Sequence, residues 1–372
     1  MNEVRLLIAG GGTGGHLFPG MAVAEEFLAR GPEMKVLFMG TAAGLEARLC
    51  PAAGYPFAAI RARGIAGKGL GAKLRAAALI PFGIAGAWRI IRRFRPQAAL
   101  GVGGYVSGPA IIAAWLLRVP AAVQEQNAVP GFTNRLLGLV ARRVFVSFEA
   151  TRAYFTRADR KGRVVVAGNP VRRPLVAALI GGARTPAERF RLFVTGGSLG
   201  AHALNELVPE AVARLAPAVR ARLSVRHQTG AADREAVARR YDELGIEARV
   251  EDFIADMAAA YLAADLVVSR SGAGAVAEIA LAGVPSILVP FPFAASDHQT
   301  MNARALAEAG AAIVLRQADT DAAALAAAIA AVAEDPEKRE RMAAAARTVA
   351  RPEAAATVVD HCLQLAGRGG ES

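Results

Sequence analysis

Short apolar runs alternate with longer stretches whose apolar positions recur at helical spacing. The runs are Val4–Ala9, Lys35–Met39, Ala98–Val102, Ala121–Gln124, Val144–Ser147 and Val164–Ala167, and helix-like segments such as Pro19–Ala29, Ala110–Leu117 and Phe132–Val140 lie between them. Continuous apolar strands separated by helices predict a parallel sheet covered on both faces. The pattern then restarts. Arg191–Thr195 with Gly196 and Gly197 echoes Arg5–Ala9 with Gly10 and Gly11, and further strands are expected at Leu223–Gln228, Ala248–Val250, Leu266–Ser269, Ser286–Val289 and Ala312–Leu315.

The expected fold is therefore α/β, with two doubly wound, Rossmann-like domains, each opening on its own glycine turn. A chain of 372 residues exceeds what one core usually holds. The segment Asn169–Pro174 carries two prolines and suits an extended linker. The domains are expected at 1–168 and 169–351, with a last helix, Glu353–Leu365 within 352–372, crossing back to the first. Ligands of doubly wound sheets bind at the carboxyl ends of the strands, so a cleft between two such domains is the expected site.

Composition narrows the classes. Hydrophobic residues make up 54% and charged residues 20%, which supports large cores and excludes disorder. Lysine and arginine number 44 against 32 acids, a net charge of +12 that favours nucleic acid, an anionic membrane surface or a phosphorylated substrate. Aromatics are only 6% and no basic block is interleaved with them, which argues against single-stranded nucleic acid. Cys50 and Cys362 are the only cysteines, too few for a disulfide framework or a thiolate metal site. A reducing compartment fits. Met1–Gly12 reads as a first strand, so no signal peptide is expected. The uncharged run Ala76–Trp88 is broken by Pro81 and Gly83 and falls short of the ~20 residues of a spanning helix.

Gly10–Gly15 contains G-x-G-x-x-G, but the second strand ends Phe38-Met39-Gly40-Thr41 without an acid for a ribose diol, which excludes a nicotinamide or flavin site. No G-K-[ST] follows, so this is not a triphosphatase loop. Such a loop still offers backbone N–H groups to anions or oxyanions at a helix start. His16 sits at that turn, and an imidazole titrating near ~6.5 suits a general base; a structural polar contact is equally compatible with the position. Gly196-Gly197-Ser198 can hold a phosphate, or Ser198 can simply cap a helix. Glu278, in the helix after Ser269–Gly274, can accept the hydroxyls of a ribose, although a helix-dipole or ion-pair role is the plainer reading of the residue alone.

Gly101–Pro109 and Gln124–Asn127 end two further strands, and Asp297-His298-Gln299 follows a proline-rich strand exit. Asp319-Thr320-Asp321 matches the D-x-D of metal-dependent sugar transferases, but it precedes an alanine-rich run and reads as a helix cap. Leu79, Ile80, Phe82 and Trp88 are flanked by Lys68, Lys73, Arg75, Arg89, Arg92, Arg93 and Arg95. Such a patch can seat on anionic lipid. A core helix with a solvated cationic side is the competing reading.

Taken in order and spacing, Gly11–His16, Gly103–Pro109, Gln124–Asn127, Gly168–Arg172, Gly196–Ser198, Ser269–Ala273 and His298-Gln299 resemble the MurG family, the lipid I N-acetylglucosaminyltransferases of bacterial peptidoglycan synthesis, over nearly the whole chain. The resemblance implies a glycosyltransferase of the B type. It implies inverting transfer of N-acetylglucosamine from UDP-N-acetylglucosamine to the muramic acid C4 hydroxyl of lipid I, giving lipid II. By residue, it implies donor-sugar contacts at Thr13, Gly14, Gly15 and Asn127 and diphosphate contacts at Arg172 and Ser198. It places Ile254 at the uracil, Ala273, Gly274, Ala275, Val276, Ala277 and Glu278 at the nucleotide, and Gln299 at the sugar hydroxyls. Tyr105, Ser107 and Glu125 are placed at the acceptor. For the proton of the acceptor hydroxyl, His16 in the first glycine loop is the candidate base, with an acid such as Glu125 next in line.

No cofactor and no metal are expected. The expected location is the cytoplasmic face of the inner membrane, bound peripherally at its anionic surface, with a place in a cell-wall synthesis or division complex and no nucleic-acid partner. Two other readings stay open. One keeps the fold and donor in a UDP-N-acetylglucosamine 2-epimerase or a transferase acting on another lipid, and the other is a non-catalytic basic peripheral protein.

Overall fold

The structure, a computed structural model, describes residues 3–62, 79–182, 188–197 and 200–367. The chain divides into two compact units, Met1–Arg173 with Arg351–Ser372, and Pro174–Ala350. In the first, seven strands form one parallel sheet in the order β3-β2-β1-β4-β5-β6-β7. They are β1 (Val4–Ala9), β2 (Met34–Gly40), β3 (Phe57–Ala59), β4 (Ala98–Gly101), β5 (Ala121–Glu125), β6 (Arg143–Val146) and β7 (Val164–Val166). The principal helices before the division are α1 (Gly14–Leu28), α2 (Leu45–Ala52), α3 (Ile80–Phe94), α4 (Ser107–Leu116) and α5 (Phe132–Leu137).

Alternation along β1 explains why both faces are covered. Leu6 and Ile8 enter a core with Phe27 of α1, while Leu7 and Ala9 enter another with Ile91 of α3 and Ile111 of α4. The C-terminal helix, Ala354–Leu365, packs along α1 and puts Val358, Val359 and Cys362 into the first of these cores. Burial pushes the Cys362 thiol up to about 12, so it stays an inert apolar group.

The division lies beyond the expected 168/169 boundary, because residues 169–173 are tied to the first unit. Gln124 donates to the Gly168 carbonyl at 3.2 Å, and Arg172 and Arg173 pair with Glu25 and Glu26 of α1 at 3.3 and 3.5 Å. A side chain at Gly168 would strike Arg351, which joins the same unit. β3 was not among the expected strands. It has three residues, too few for a periodic signal, and pairs with β2 with Phe57 opposite Phe38.

The second unit carries a parallel sheet in the order β10-β9-β8-β11-β12-β13. Its strands are β8 (Phe190–Thr195), β9 (Leu223–Gln228), β10 (Glu247–Glu251), β11 (Leu266–Ser269), β12 (Ser286–Leu288) and β13 (Ala312–Val314). Its principal helices, from α6 on, are α6 (His202–Ala213), α7 (Arg234–Glu243), α8 (Met257–Ala263), α9 (Ala273–Ala282), α10 (His298–Glu308), α11 (Ala322–Ala333) and α12 (Pro336–Val349). In each sheet the strand order reverses beside the first strand, between β1 and β4 and between β8 and β11. That switch point is where the loops part and a ligand can enter.

Candidate active site

At the first switch point two glycine loops meet backbone to backbone. The loop Gly10–Thr13 leaves β1 and the loop Val102–Val106 leaves β4. Gly104 (φ +78°) has no room for a side chain, since a Cβ would run into the Gly11 carbonyl. Gly12 (φ +89°) lies under the Tyr105 ring, 3.2 Å from the position of a Cβ. Helix α1 starts at Gly14, five residues before the expected Pro19, so Gly14, Gly15 and His16 form its first turn. Thr13 is the N-cap but makes no side-chain cap bond. The His16 and Leu17 amides turn back to the Thr13 carbonyl at 3.3 and 3.1 Å, and Thr13 and Gly15 are exposed at this helix start.

Glu46, which the sequence analysis did not single out, holds this loop from behind. It is 1% exposed. One carboxylate oxygen accepts the Gly12 N–H at 2.9 Å, and the other accepts the Thr41 N–H at 2.9 Å and its hydroxyl at 3.1 Å. The three donors keep a buried carboxylate satisfied without a cation.

Half-buried His16 turns its Nδ1 to Gln126 Oε1 at 3.1 Å, and Gln126 Nε2 donates to the Val102 carbonyl at 3.0 Å. The ring lies against Gly103 (φ +97°), 2.5 Å from where a Cβ would stand.

Two residues expected at the acceptor, Ser107 and Glu125, have their polar groups engaged with neighbouring loops. Ser107 is fully buried; its hydroxyl accepts the Gly103 N–H at 3.0 Å and lies 2.8 Å from the carbonyls of Ala9 and Gly103. It stitches the two loops together. Glu125 is 1% exposed, with one oxygen accepting the Asn127 N–H at 3.0 Å and the other the Gly131 N–H at 3.1 Å and Asn134 Nδ2 at 2.9 Å. Its carboxylate points inward and shapes the loop that presents Asn127. Tyr105 and Asn127 remain half-buried at the loop surfaces.

At the second switch point the loop after β8 runs through Gly196 and Gly197 to α6. Ser198 lies outside the described residues. Thr195 Oγ1 accepts the Gly197 N–H at 3.2 Å and donates to Gln228 at 2.9 Å. Opposite, Ser269–Gly272 leads into α9. A Cβ added at Gly197, Gly272 or Gly274 would meet nothing, so these backbones border open space. Along α9 the helical period puts Ala273 and Val276 inside, leaving Gly274, Ala275, Ala277 and Glu278 partly accessible. Ile254 is likewise 1% exposed, with its neighbour Phe253 turned outward.

Glu278 accepts the Tyr261 hydroxyl at 3.0 Å, and the Tyr261 ring is held edge-on against Phe193. Removal from water pushes the Glu278 carboxyl up to about 7. Gln299 Oε1 accepts the Phe291 N–H at 2.9 Å, and its carbonyl accepts the Ser271 hydroxyl at 2.8 Å. Arg270, also unforeseen, braces this region by donating to the carbonyls of Val289 and Pro290 and to Gln317. Arg172 belongs to the first unit, where it is exposed and pairs with Glu25.

Asp321 caps α11, accepting the Ala324 N–H at 2.8 Å. Among the described residues no cluster of three His, Cys, Asp or Glu is placed to hold a metal ion.

The family model for the glycosyltransferase family 28 N-terminal domain matches residues 6–146, and that for its C-terminal domain matches 191–358. The chain belongs to glycosyltransferase family 28. It is similar to the UDP-N-acetylglucosamine–N-acetylmuramyl-(pentapeptide) pyrophosphoryl-undecaprenol N-acetylglucosamine transferase of Anaeromyxobacter dehalogenans strain 2CP-1, with 48% identity over 98% of this chain and 94% of that protein. The crystal structure of Acinetobacter baumannii MurG superposes with a TM-score of 0.79 at 33% identity, covering 97% of this chain and 99% of that one. A UDP-N-acetylglucosamine 2-epimerase structure from Listeria monocytogenes matches with a TM-score of 0.67 at 15% identity, a likeness of fold alone. The switch-point loops of this family 28 enzyme thus lie inside the two matched domains.

The apolar patch is partly redrawn. Phe82 (64% exposed) and Ile80 project from the start of α3, with Leu79 half-buried beside them. Trp88 instead packs on the core next to Ala87 and Ile91, because α3 faces the sheet with every fourth residue. Arg89, Arg92, Arg93 and Arg95 are exposed, while Lys68, Lys73 and Arg75 lie outside the described residues. Further exposed apolar side chains were not foreseen: Trp115 at the end of α4, and Phe132, Leu136 and Leu139, which lie at helical spacing on and just beyond α5. Helices α3, α4 and α5 are neighbours on one face of the sheet. Among the described residues no helix is long and apolar enough to cross a membrane.

Proposed function

We infer that this enzyme transfers N-acetylglucosamine from UDP-N-acetylglucosamine to the C4 hydroxyl of the muramic acid of undecaprenyl-pyrophosphoryl-MurNAc-pentapeptide, with inversion. The observation that carries this reading is the near-full-length 48% identity to a transferase of that name, spanning both switch-point loops. His16 is the base. Its Nε2 takes the proton of the acceptor hydroxyl as that oxygen attacks the anomeric carbon and the UDP oxygen leaves. Thr13, Gly14, Gly15 and Asn127 meet the donor sugar, and Tyr105 meets the acceptor. The leaving diphosphate is neutralised by Arg172, by Ser198 and by the amides of Gly196 and Gly197, in place of a metal. Gln299, whose carboxamide oxygen is taken by Phe291, offers its NH2 to a sugar hydroxyl. The main chain at Ile254 meets the uracil.

Labelled transfer to a short-chain lipid I analogue with excess chelator tests the reaction. A new β-linked disaccharide is expected. Recovery only on adding a divalent ion would reinstate a metal. Donor binding without transfer under either condition would point to the epimerase or another acceptor.

Glu278 holds the ribose as a carboxylate accepting both hydroxyls. In the free protein the carboxyl titrates at about 7. Binding selects the ionised form, so donor affinity is lost as pH falls below that value and is flat above it. Calorimetry should show Kd rising roughly tenfold per pH unit below the midpoint. Glu278→Gln should abolish the slope; a pH-independent wild-type Kd would remove the carboxylate from the ribose.

The enzyme works on the cytoplasmic face of the membrane, bound peripherally. Support comes from the exposed Ile80, Phe82, Trp115, Phe132, Leu136 and Leu139 on adjacent helices of a chain with net charge +12. It should co-sediment with vesicles containing phosphatidylglycerol, less so at high salt. Equal recovery with neutral vesicles at any salt would leave the basic face without this role.

A further inference from the structure

We propose that Gln126 is a positioning residue that selects the tautomer of His16, keeping the proton on Nδ1 and the lone pair on Nε2. The inference rests on His16 as base and adds what makes it competent. A carboxamide can be turned either way, and here its surroundings decide. Gln126 is 1% exposed, and one end of its amide faces the Val102 carbonyl at 3.0 Å. A carbonyl only accepts, so the NH2 must be at that end. Oε1 therefore faces His16 at 3.1 Å, and an amide oxygen only accepts as well. Nδ1 must then carry the hydrogen, and in the neutral ring Nε2 keeps its lone pair.

The ring is also held in place. Gly103 packs its bare Cα against the imidazole, so the backbone sits where a side chain would push the ring off Gln126. Among the described residues, the titratable groups packed on the same loop are Glu46, whose oxygens are occupied by Gly12 and Thr41, and Tyr105, which lies over Gly12. Among the described residues, Gln126 is the group hydrogen-bonded to the imidazole itself. Left to itself, a neutral imidazole in water prefers the proton on Nε2, which would put a donor where the base is needed.

The test uses the full-length enzyme labelled with 15N in its histidine rings, with His16→Gln identifying the His16 signals. The wild type should show the Nδ1–H tautomer at pH 8, and Gln126→Leu should move it towards Nε2–H. In Gln126→Leu, kcat should fall at least ~10-fold with KM for both substrates within about twofold. Gln126→Glu keeps the shape and guards against loss of fold. Its carboxylate should favour the imidazolium and restore part of kcat at high pH. Because a protonated ring cannot act as a base, the acid limb of its kcat profile should lie at higher pH than in the wild type.

An Nε2–H tautomer in the wild type would overturn the proposal. So would a folded Gln126→Leu with wild-type kcat. If the tautomer shifts as expected but His16→Ala retains turnover, the hydrogen bond stands and the base assignment fails, taking Gln126's catalytic role with it.

Discussion

His16→Ala should lower kcat by about 10²–10⁴, the usual range for removing a positioned general base, while leaving donor affinity within a few-fold. The argument is geometric. His16 is in the first turn of α1, its Nδ1 is bonded to Gln126, and its ring lies on Gly103, so among the described residues Nε2 is the nitrogen left for the acceptor. The acceptor hydroxyl is a poor nucleophile until it loses its proton, and loss of the base acts on that step rather than on binding. Single-turnover transfer alongside equilibrium binding of UDP-N-acetylglucosamine separates the two. Turnover within threefold of wild type would leave the base unassigned, because both oxygens of Glu125 are committed to Asn127, Gly131 and Asn134.

The largest stability effect is expected at the end of the chain. Val358 is fully buried and packs with Leu6, Ile8 and Phe27 in the first core. Val358→Asp would bring a carboxyl into that core with no partner, at a cost of several kcal/mol. That is a large share of the 5–15 kcal/mol typical of a domain. Hydrogen exchange should then lose protection in β1, β2 and β4, while β8, β9 and β11 keep theirs. Unchanged protection in β1 would mean that the C-terminal helix is not part of this core.

Several strands were legible from short, mainly apolar or alternating runs between helical stretches: Val4–Ala9, Leu223–Gln228 and Leu266–Ser269 have the expected limits. Phe57–Ala59 was not, since three residues are too few to carry a periodic signal. Helix starts were misplaced where glycines read as pure turn. Gly14 and Gly15 are already helical, and so is Ser107, three residues before the expected start at Ala110.

Residue types at the site were legible, but their directions were not. Glu125, Ser107 and Ile254 were placed at ligand-facing loops, and each points inward because a backbone amide or the core claims it. Strand and loop position alone do not say which way a side chain turns; that depends on which backbone groups need partners. The same need explains what was missed. Glu46 is distant in sequence from Gly12, and only the folded loop shows that the Gly12 amide requires an acceptor. Gln126 stood within a noted motif, yet its role appears only when Val102 and His16 stand on either side of it.

The first unit is discontinuous in the chain, and this bears on the order of synthesis. Its sheet is complete by β7, but the helix that closes one of its cores comes after the 177 residues of the second unit. At translation rates of about 5–20 residues per second, the nascent sheet waits on the order of ten seconds or more with that apolar face uncovered. The second unit is contiguous and has no such wait. The usual order, N-terminal domain first, is therefore expected to reverse during translation. Nascent chains halted shortly after Ala350 are the species in which trigger-type chaperones would find the most exposed apolar surface.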